Sequence, residues 1–167
     1  LTQVAAKVFG FSAKKTMLIA QRLFEGIQLK DERVGLITYP RTDSFRINDD
    51  FIREIREFIK NNYGENYLNK EVRKFSEKKF SQGAHEAIRP TDLQKTPEAI
   101  KKYLKEDEYK LYRLIYLRTI ASQMAPARYR EIKIEISGKN NGKEFLFTTE
   151  GFYRIFDGYE RSYFEER

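Results

Sequence analysis

Tyr39 and Arg41 stand two residues apart at the end of a short apolar run, Gly35 to Ile37. In an extended segment that spacing sends both side chains to the same side. A phenol and a guanidinium held together can do chemistry on a phosphate. The oxygen attacks phosphorus, and the planar cation takes up charge on the non-bridging oxygens. An unperturbed phenol titrates near ~pH 10, roughly three units above neutrality, so such a nucleophile needs help. A nearby cation favours the phenolate and screens the phosphate's charge from it, and arginine does not lose its own. Spacing alone leaves a plainer reading open for each. Tyrosine after an apolar strand usually packs at the edge of a core, and Arg41 can serve as a surface ion pair or a backbone contact.

The elements that must hold these residues are legible from periodicity. Val4, Ala5, Val8 and Phe9 recur at helical spacing over residues 2–9, and Gly10 breaks the run. Ser12 is placed to cap a helix to about residue 24, with Met17, Ala20, Leu23 and Phe24 on its buried stripe and Gly26 after it. Residues 27–33 read as a polar loop and 34–39 as a strand. Asn48, Asp49 and Asp50 cap a further helix in which Phe51, Ile52, Ile55, Phe58 and Ile59 keep the 3.6 period until Gly64. Residues 66–83 are irregular and basic, with Lys70, Arg73, Lys74, Lys78 and Lys79. Thr96-Pro97 opens a short helix to about residue 104. A longer one over about 107–123 puts Tyr112, Ile115, Tyr116, Thr119 and Ile120 on one face, and Pro126 stops it.

The pattern then changes. Ile132, Ile134 and Ile136 alternate with Glu131, Lys133 and Glu135, and Asn141-Gly142 supplies a hairpin turn. Residues 144–149 return as a second strand, and 152–156 read as a third. A meander with so little core does not fold stably alone, so it reads as a piece of a larger sheet.

Composition narrows the classes. The 167 residues suit one domain or one domain with an appendage, and 40% apolar content with thirteen Phe and eleven Tyr can build a core. A net charge of +7 permits an acidic partner. With no cysteine there is no disulfide framework, thiolate metal site or thiol nucleophile. No apolar run approaches the roughly 20 residues that span a bilayer, and no signal-like start is visible, so the chain is expected to be soluble. Asp49-Asp50 reads as helix capping rather than a metal pair, and phosphate-loop and dinucleotide fingerprints are absent.

Four blocks together resemble a known family. Gly35-Leu36-Ile37-Thr38-Tyr39-Pro40-Arg41-Thr42-Asp43-Ser44 is similar to the active-site tyrosine motif of the type IA DNA topoisomerases. Gly83-Ala84-His85-Glu86-Ala87-Ile88-Arg89-Pro90-Thr91 resembles a second signature. Gly10-Phe11-Ser12-Ala13-Lys14-Lys15-Thr16-Met17 and Ser122-Gln123-Met124-Ala125-Pro126-Ala127 resemble two more, in the family's order. The bacterial topoisomerase I branch fits best, although Pro40 departs from the methionine common there and is shared with topoisomerase III or reverse gyrase.

That resemblance implies a mainly helical α+β fold. A tyrosine-bearing gate domain with a helix-turn-helix-like core would occupy residues 1–126, and the first strands of an arch domain 127–167. It implies that Tyr39 attacks a DNA phosphodiester, becomes linked to the 5′ phosphate and later religates without ATP. Arg41 would stabilise the transition state. His85, the chain's one histidine, would bind phosphate or handle a proton, against the usual structural role of a lone histidine. Arg89 is a DNA-binding candidate, or else pairs with Glu86 to brace the loop. Lys14, Lys15 and Arg22 can touch phosphate, against the plainer reading as a solvated helix face. Thr42, Asp43 and Ser44 are expected to shape the turn after Tyr39. The family's Mg²⁺ cluster, catalytic glutamate and lysine lie on a separate domain, and none of those motifs occurs here. The expected partners are single-stranded DNA and the remaining domains of a parent enzyme, in the cytoplasm and with the nucleoid; alone, the chain is expected to be inactive. A non-catalytic basic nucleic-acid module with Tyr39 as a stacking platform is the rival. Recombinases need several Arg and His residues around the tyrosine and relaxases a histidine cluster for metal, and a single histidine argues against both.

Overall fold

The computed structural model describes residues 1–75 and 85–163. The expected basic stretch therefore falls partly outside them, as do Gly83 and Ala84. The element order is α1 (Thr2–Phe9), α2 (Ala13–Glu25), β1 (Ile27–Gln28), β2 (Arg33–Val34), α3 (Asp49–Tyr63), α4 (Pro97–Ile100), α5 (Glu106–Ala121), β3 (Arg128–Asn140) and β4 (Lys143–Phe156). Short 3₁₀ turns follow α3, α4 and β4. The α+β architecture is the expected one.

Local signals set most helix ends. The Ser12 hydroxyl accepts the Lys15 N–H, the Asn48 side chain the Asp50 N–H, and the Thr96 hydroxyl the Ala99 N–H. Each satisfies a donor the first turn leaves without a helical partner. The apolar faces meet around α5, whose Leu111, Tyr112, Ile115 and Ile120 pack in one core with Leu23 of α2 and Ile55 and Ile59 of α3. On α2 the buried stripe is Thr16, Ile19, Ala20 and Leu23, with Met17 half-buried and Phe24 exposed. The stripe is thus turned by one residue from the expected one. Thr16 can take a core position because its hydroxyl donates to the Ser12 carbonyl at 3.0 Å.

Two tyrosines of α5 are held by their hydroxyls. Tyr112 donates to the Lys95 carbonyl at 2.7 Å and Tyr116 to the Leu93 carbonyl at 2.6 Å. Burial holds both phenols well above their ordinary value. The unfolded chain releases these protons near ~pH 10, the folded chain only at higher pH. The stability they contribute is therefore complete below about pH 10 and is lost as pH rises through the folded values. The urea midpoint of the chain should fall between about pH 9 and pH 11, and Tyr112→Phe should flatten that fall.

Residues 127–163 hold one hairpin rather than the expected three-stranded meander. β3 and β4 pair antiparallel through the whole of β4, with Ile132 opposite Gly151 and Asn140 opposite Lys143. Gly151 keeps extended geometry, so the chain runs through it without turning. The reversal is at Asn141 (φ 48°) and Gly142 (φ 76°), the left-handed pair a tight hairpin turn demands. Ile134 and Ile136 of β3 and Leu146 and Phe147 of β4 are all exposed. At its base the hairpin is tied to the helices, where the Tyr67 hydroxyl donates to Asp157 at 2.8 Å and its ring packs on Phe156.

Candidate active site

The segment carrying Tyr39 is extended but is not the strand its sequence suggests. β2 ends at Val34, and only Ile37 pairs again, in an antiparallel bridge to Pro90. Residues 35–38 are wedged between the end of α2 and residues 87–91. On one side the Leu36 N–H donates to the Leu23 carbonyl at 2.7 Å. A Cβ on Gly35 would lie 2.6 Å from the Phe24 carbonyl oxygen, so only glycine lets the two backbones approach this closely. Gly35→Ala should cost about 1–3 kcal/mol, read as a lower denaturant midpoint at unchanged m.

On the other side the bonds interlock. The Thr38 N–H donates to the Arg89 carbonyl at 2.9 Å, while the Thr38 hydroxyl donates to the Ala87 carbonyl at 2.7 Å and accepts the Arg89 N–H at 3.0 Å. The Thr91 N–H reaches the Leu36 carbonyl at 3.1 Å, and its hydroxyl the Gly35 carbonyl at 2.7 Å. Two stretches some fifty residues apart are thereby zipped into one unit.

Tyr39 emerges at the end of this unit, 39% exposed. Its ring lies edge-on to Phe24, centroids 5.5 Å apart, and 5.8 Å from the His85 ring. Among the described residues its hydroxyl has no hydrogen-bond partner, which leaves the oxygen open to a ligand. Arg41 is exposed two residues on and makes no hydrogen bond or ion pair among the described residues. Beyond it the chain is pinned by its own side chains. The Thr42 hydroxyl accepts the Ser44 N–H at 3.0 Å, and the Ser44 hydroxyl the Arg46 N–H at 3.1 Å. Turn-shaping is thus what Thr42 and Ser44 do.

Glu86 and Arg89 hold each other. Two guanidinium nitrogens of Arg89 donate to one Glu86 oxygen at 2.7 and 3.1 Å, and a third donates to the Pro90 carbonyl at 3.0 Å. The same guanidinium lies 3.9 Å from the centre of the Phe51 ring, and its side chain is only 13% exposed. The other Glu86 oxygen accepts the Asn48 N–H at 3.0 Å. The pair therefore joins the His85 loop to the start of α3.

The sequence profile of the family described as DNA topoisomerase matches residues 1–167. The chain belongs to the type IA DNA topoisomerase family. The "DNA topoisomerase 1" of Rickettsia felis is 46% identical over 166 residues, covering 99% of this chain and 21% of the relative. That of Thermotoga maritima is 45% identical over 168 residues, covering the whole chain and 26% of the relative. The structure of full-length topoisomerase I from Thermotoga maritima superposes with a TM-score of 0.82 at 42% identity, over 99% of this chain and 26% of that one. The chain thus spans about a quarter of its topoisomerase relatives.

The remaining blocks of the topoisomerase pattern lie away from Tyr39. Lys14 and Lys15 open α2, and Phe24, which touches Tyr39, is near its other end. Nine to ten residues of helix put roughly 15 Å between them. Lys15 is paired with Asp107 at 2.8 Å, Arg22 lies 3.9 Å from Glu108, and Lys14 is exposed. In the last block Gln123 is fully buried. Its amide nitrogen donates to the Arg73 carbonyl at 2.9 Å, and its oxygen accepts the Arg73 N–H at 3.2 Å. Both halves of one side chain so clamp the backbone of the basic segment. Periodicity does not reveal this role; the signal is an uncharged amide just past an apolar helix, where only a specific partner justifies burial. No comparable signal marks Thr38 as the stitch to residues 87–89 or Phe24 as the neighbour of Tyr39.

Among the described residues no three His, Cys, Asp or Glu side chains gather as a metal site. No helix among them is long and apolar enough to cross a membrane.

Proposed function

We propose that Tyr39 is the nucleophile of a topoisomerase that cuts and rejoins one DNA strand. The observation that carries this is the zipped unit of residues 35–39 and 87–91, which leaves the Tyr39 oxygen open beside the His85 ring. The phenol oxygen bonds to the phosphorus of a DNA phosphodiester, and the bond from phosphorus to the 3′ oxygen breaks. The phenolic proton is given up and the departing oxygen leaves as a 3′ hydroxyl, so the balance closes with the 5′ phosphate on Tyr39. The reverse step restores the strand, which is why no ATP is consumed. Arg41 has no competing partner among the described residues and takes the charge on the non-bridging oxygens. His85 binds the same phosphate or carries the proton. Arg89, committed to Glu86, positions the loop rather than binding DNA.

Residues 1–126 act in this reading as the gate that swings away with the bound 5′ end, and 127–167 begin the arch that hinges it. The other strand passes through before closure, which relaxes underwound DNA. Any Mg²⁺ the reaction uses is held by a domain outside this chain, and cleavage by the chain alone is absent or feeble.

The test is complementation. The chain is mixed with the metal-bearing domain of a relative, Mg²⁺ and a single-stranded oligonucleotide labelled at its 3′ end. A protein–DNA adduct that survives denaturation and carries that label is expected. Its absence, or an adduct carrying only a 5′ label, would count against the assignment; the latter is recombinase polarity.

A further inference from the structure

A cavity of about 480 Å³ lies between the loop that follows Tyr39 and the basic segment before residue 76, lined by Phe45, Arg46, Arg73, Lys74 and Phe75. Two features point to a ligand. Phe45 and Phe75 leave 47% and 49% of their surface in solvent, costly for rings with no water-facing polar group. Between them stand cations. Arg46 and Arg73 make no ion pair among the described residues, while Lys74 is paired with Asp49 at 3.0 Å. Asp49 and Asp50 also line the cavity, so its side chains carry three positive and two negative charges. Asp49 is bonded to Lys74 and also feels the charge of Arg46, and Asp50 is paired with Arg53, so the lining keeps a net positive charge with neither arginine tied down by an ion pair among the described residues.

The mount is rigid. Arg46 is fixed by the Ser44 hydroxyl and by its own carbonyl, which accepts the Ala87 N–H at 2.8 Å. Arg73 is fixed by the Gln123 clamp. Six residues separate Tyr39 from Phe45, so the cavity lies within roughly 20 Å of the phenol, the reach of that many extended residues.

We propose that this cavity is a subsite for single-stranded DNA, in which Phe45 and Phe75 stack bases and Arg46 and Arg73 meet phosphates. It takes the first nucleotides of the strand whose 5′ end Tyr39 carries. Its choice of strand rests on the reading of Tyr39 as the nucleophile. A covalently tethered strand is presented at high effective concentration, so modest contacts suffice to keep it from fluctuating while the gate is open. Unpaired bases suit the aromatic faces, which a duplex cannot reach.

The experiment measures binding of fluorescein-labelled oligothymidylate, and of a duplex of equal length, by anisotropy over a salt series. The joint substitution Arg46→Ala and Arg73→Ala should weaken single-strand binding and lower the slope of log affinity against log salt by about 1.4, at roughly 0.7 per phosphate contact. Phe45→Ala with Phe75→Ala should weaken it at least about fivefold per stacked base, leaving the slope and duplex binding unchanged. Should either alanine pair unfold the chain, Arg→Lys at both arginines should preserve the slope and Phe→Tyr at both rings the affinity. Unchanged single-strand affinity in the folded alanine pairs, or an equal loss for duplex in the phenylalanine pair, overturns the subsite. Tyr39→Phe should bind oligothymidylate like the parent. If adduct formation fails while these effects appear, the nucleophile reading falls and the subsite stands as a single-strand site.

Discussion

Tyr39→Phe should abolish the covalent adduct completely while leaving the fold and the non-covalent affinity for single-stranded DNA intact. The substitution removes one oxygen and nothing else. That oxygen has no hydrogen-bond partner among the described residues, and the ring, 39% exposed, keeps its contacts with Phe24 and His85. The stability change should therefore stay within about 0.5 kcal/mol. The outcomes divide sharply because the residual pathway is empty. With the nucleophile gone, water is the remaining attacker, and hydrolysis gives no protein-linked strand. In the complemented reaction, denaturing electrophoresis with a 3′-labelled oligonucleotide should show a shifted band for the parent and none for the variant. An undiminished band would move the nucleophile to another residue. Lost adduct accompanied by a lowered melting temperature would mean that the hydroxyl supports the fold, and the loss would then not be one of chemistry.

How much of this was legible in the sequence depends on the range over which each feature is decided. Ser12, Asn48 and Thr96 announce helix starts because a cap is settled by bonds three residues away or fewer. The turn at Asn141-Gly142 is equally local. The buried stripe of α2 lies one residue from the one its apolar spacing predicts because Thr16, polar by type, satisfies its hydroxyl on its own helix and goes inside. Gly151 predicts a break between two strands, yet inside a paired ribbon it needs only extended geometry, and β4 runs through it. The site was legible in its parts and not in its assembly. The matching blocks are what point to Tyr39 and His85; that Thr38 and Thr91 stitch those blocks together is a fact of long-range pairing no periodicity encodes. The alternative roles left open for Arg89 are separated only by geometry, since the same arginine could reach a phosphate or turn inward to Glu86 and Phe51.

Arg41→Ala should lower the single-turnover rate of adduct formation by ~10²–10³, the usual effect of removing one donor aimed at developing oxyanion charge. Arg41 is suited to this because nothing among the described residues draws it elsewhere: Arg89 is spent on Glu86 and Lys15 on Asp107. A plain DNA contact would behave differently. It would cost affinity and flatten the salt slope by about 0.7 for one phosphate, yet saturating DNA would restore the full rate. Transition-state stabilisation survives saturation, so the deficit should persist at every oligonucleotide concentration. Arg41→Lys supplies the second discriminator. Lysine keeps the charge and loses the planar fork, so its rate should fall between the parent and alanine if two phosphate oxygens are held at once. A lysine variant as fast as the parent would reduce Arg41 to a point charge. An alanine variant rescued by excess DNA would remove it from the chemistry altogether.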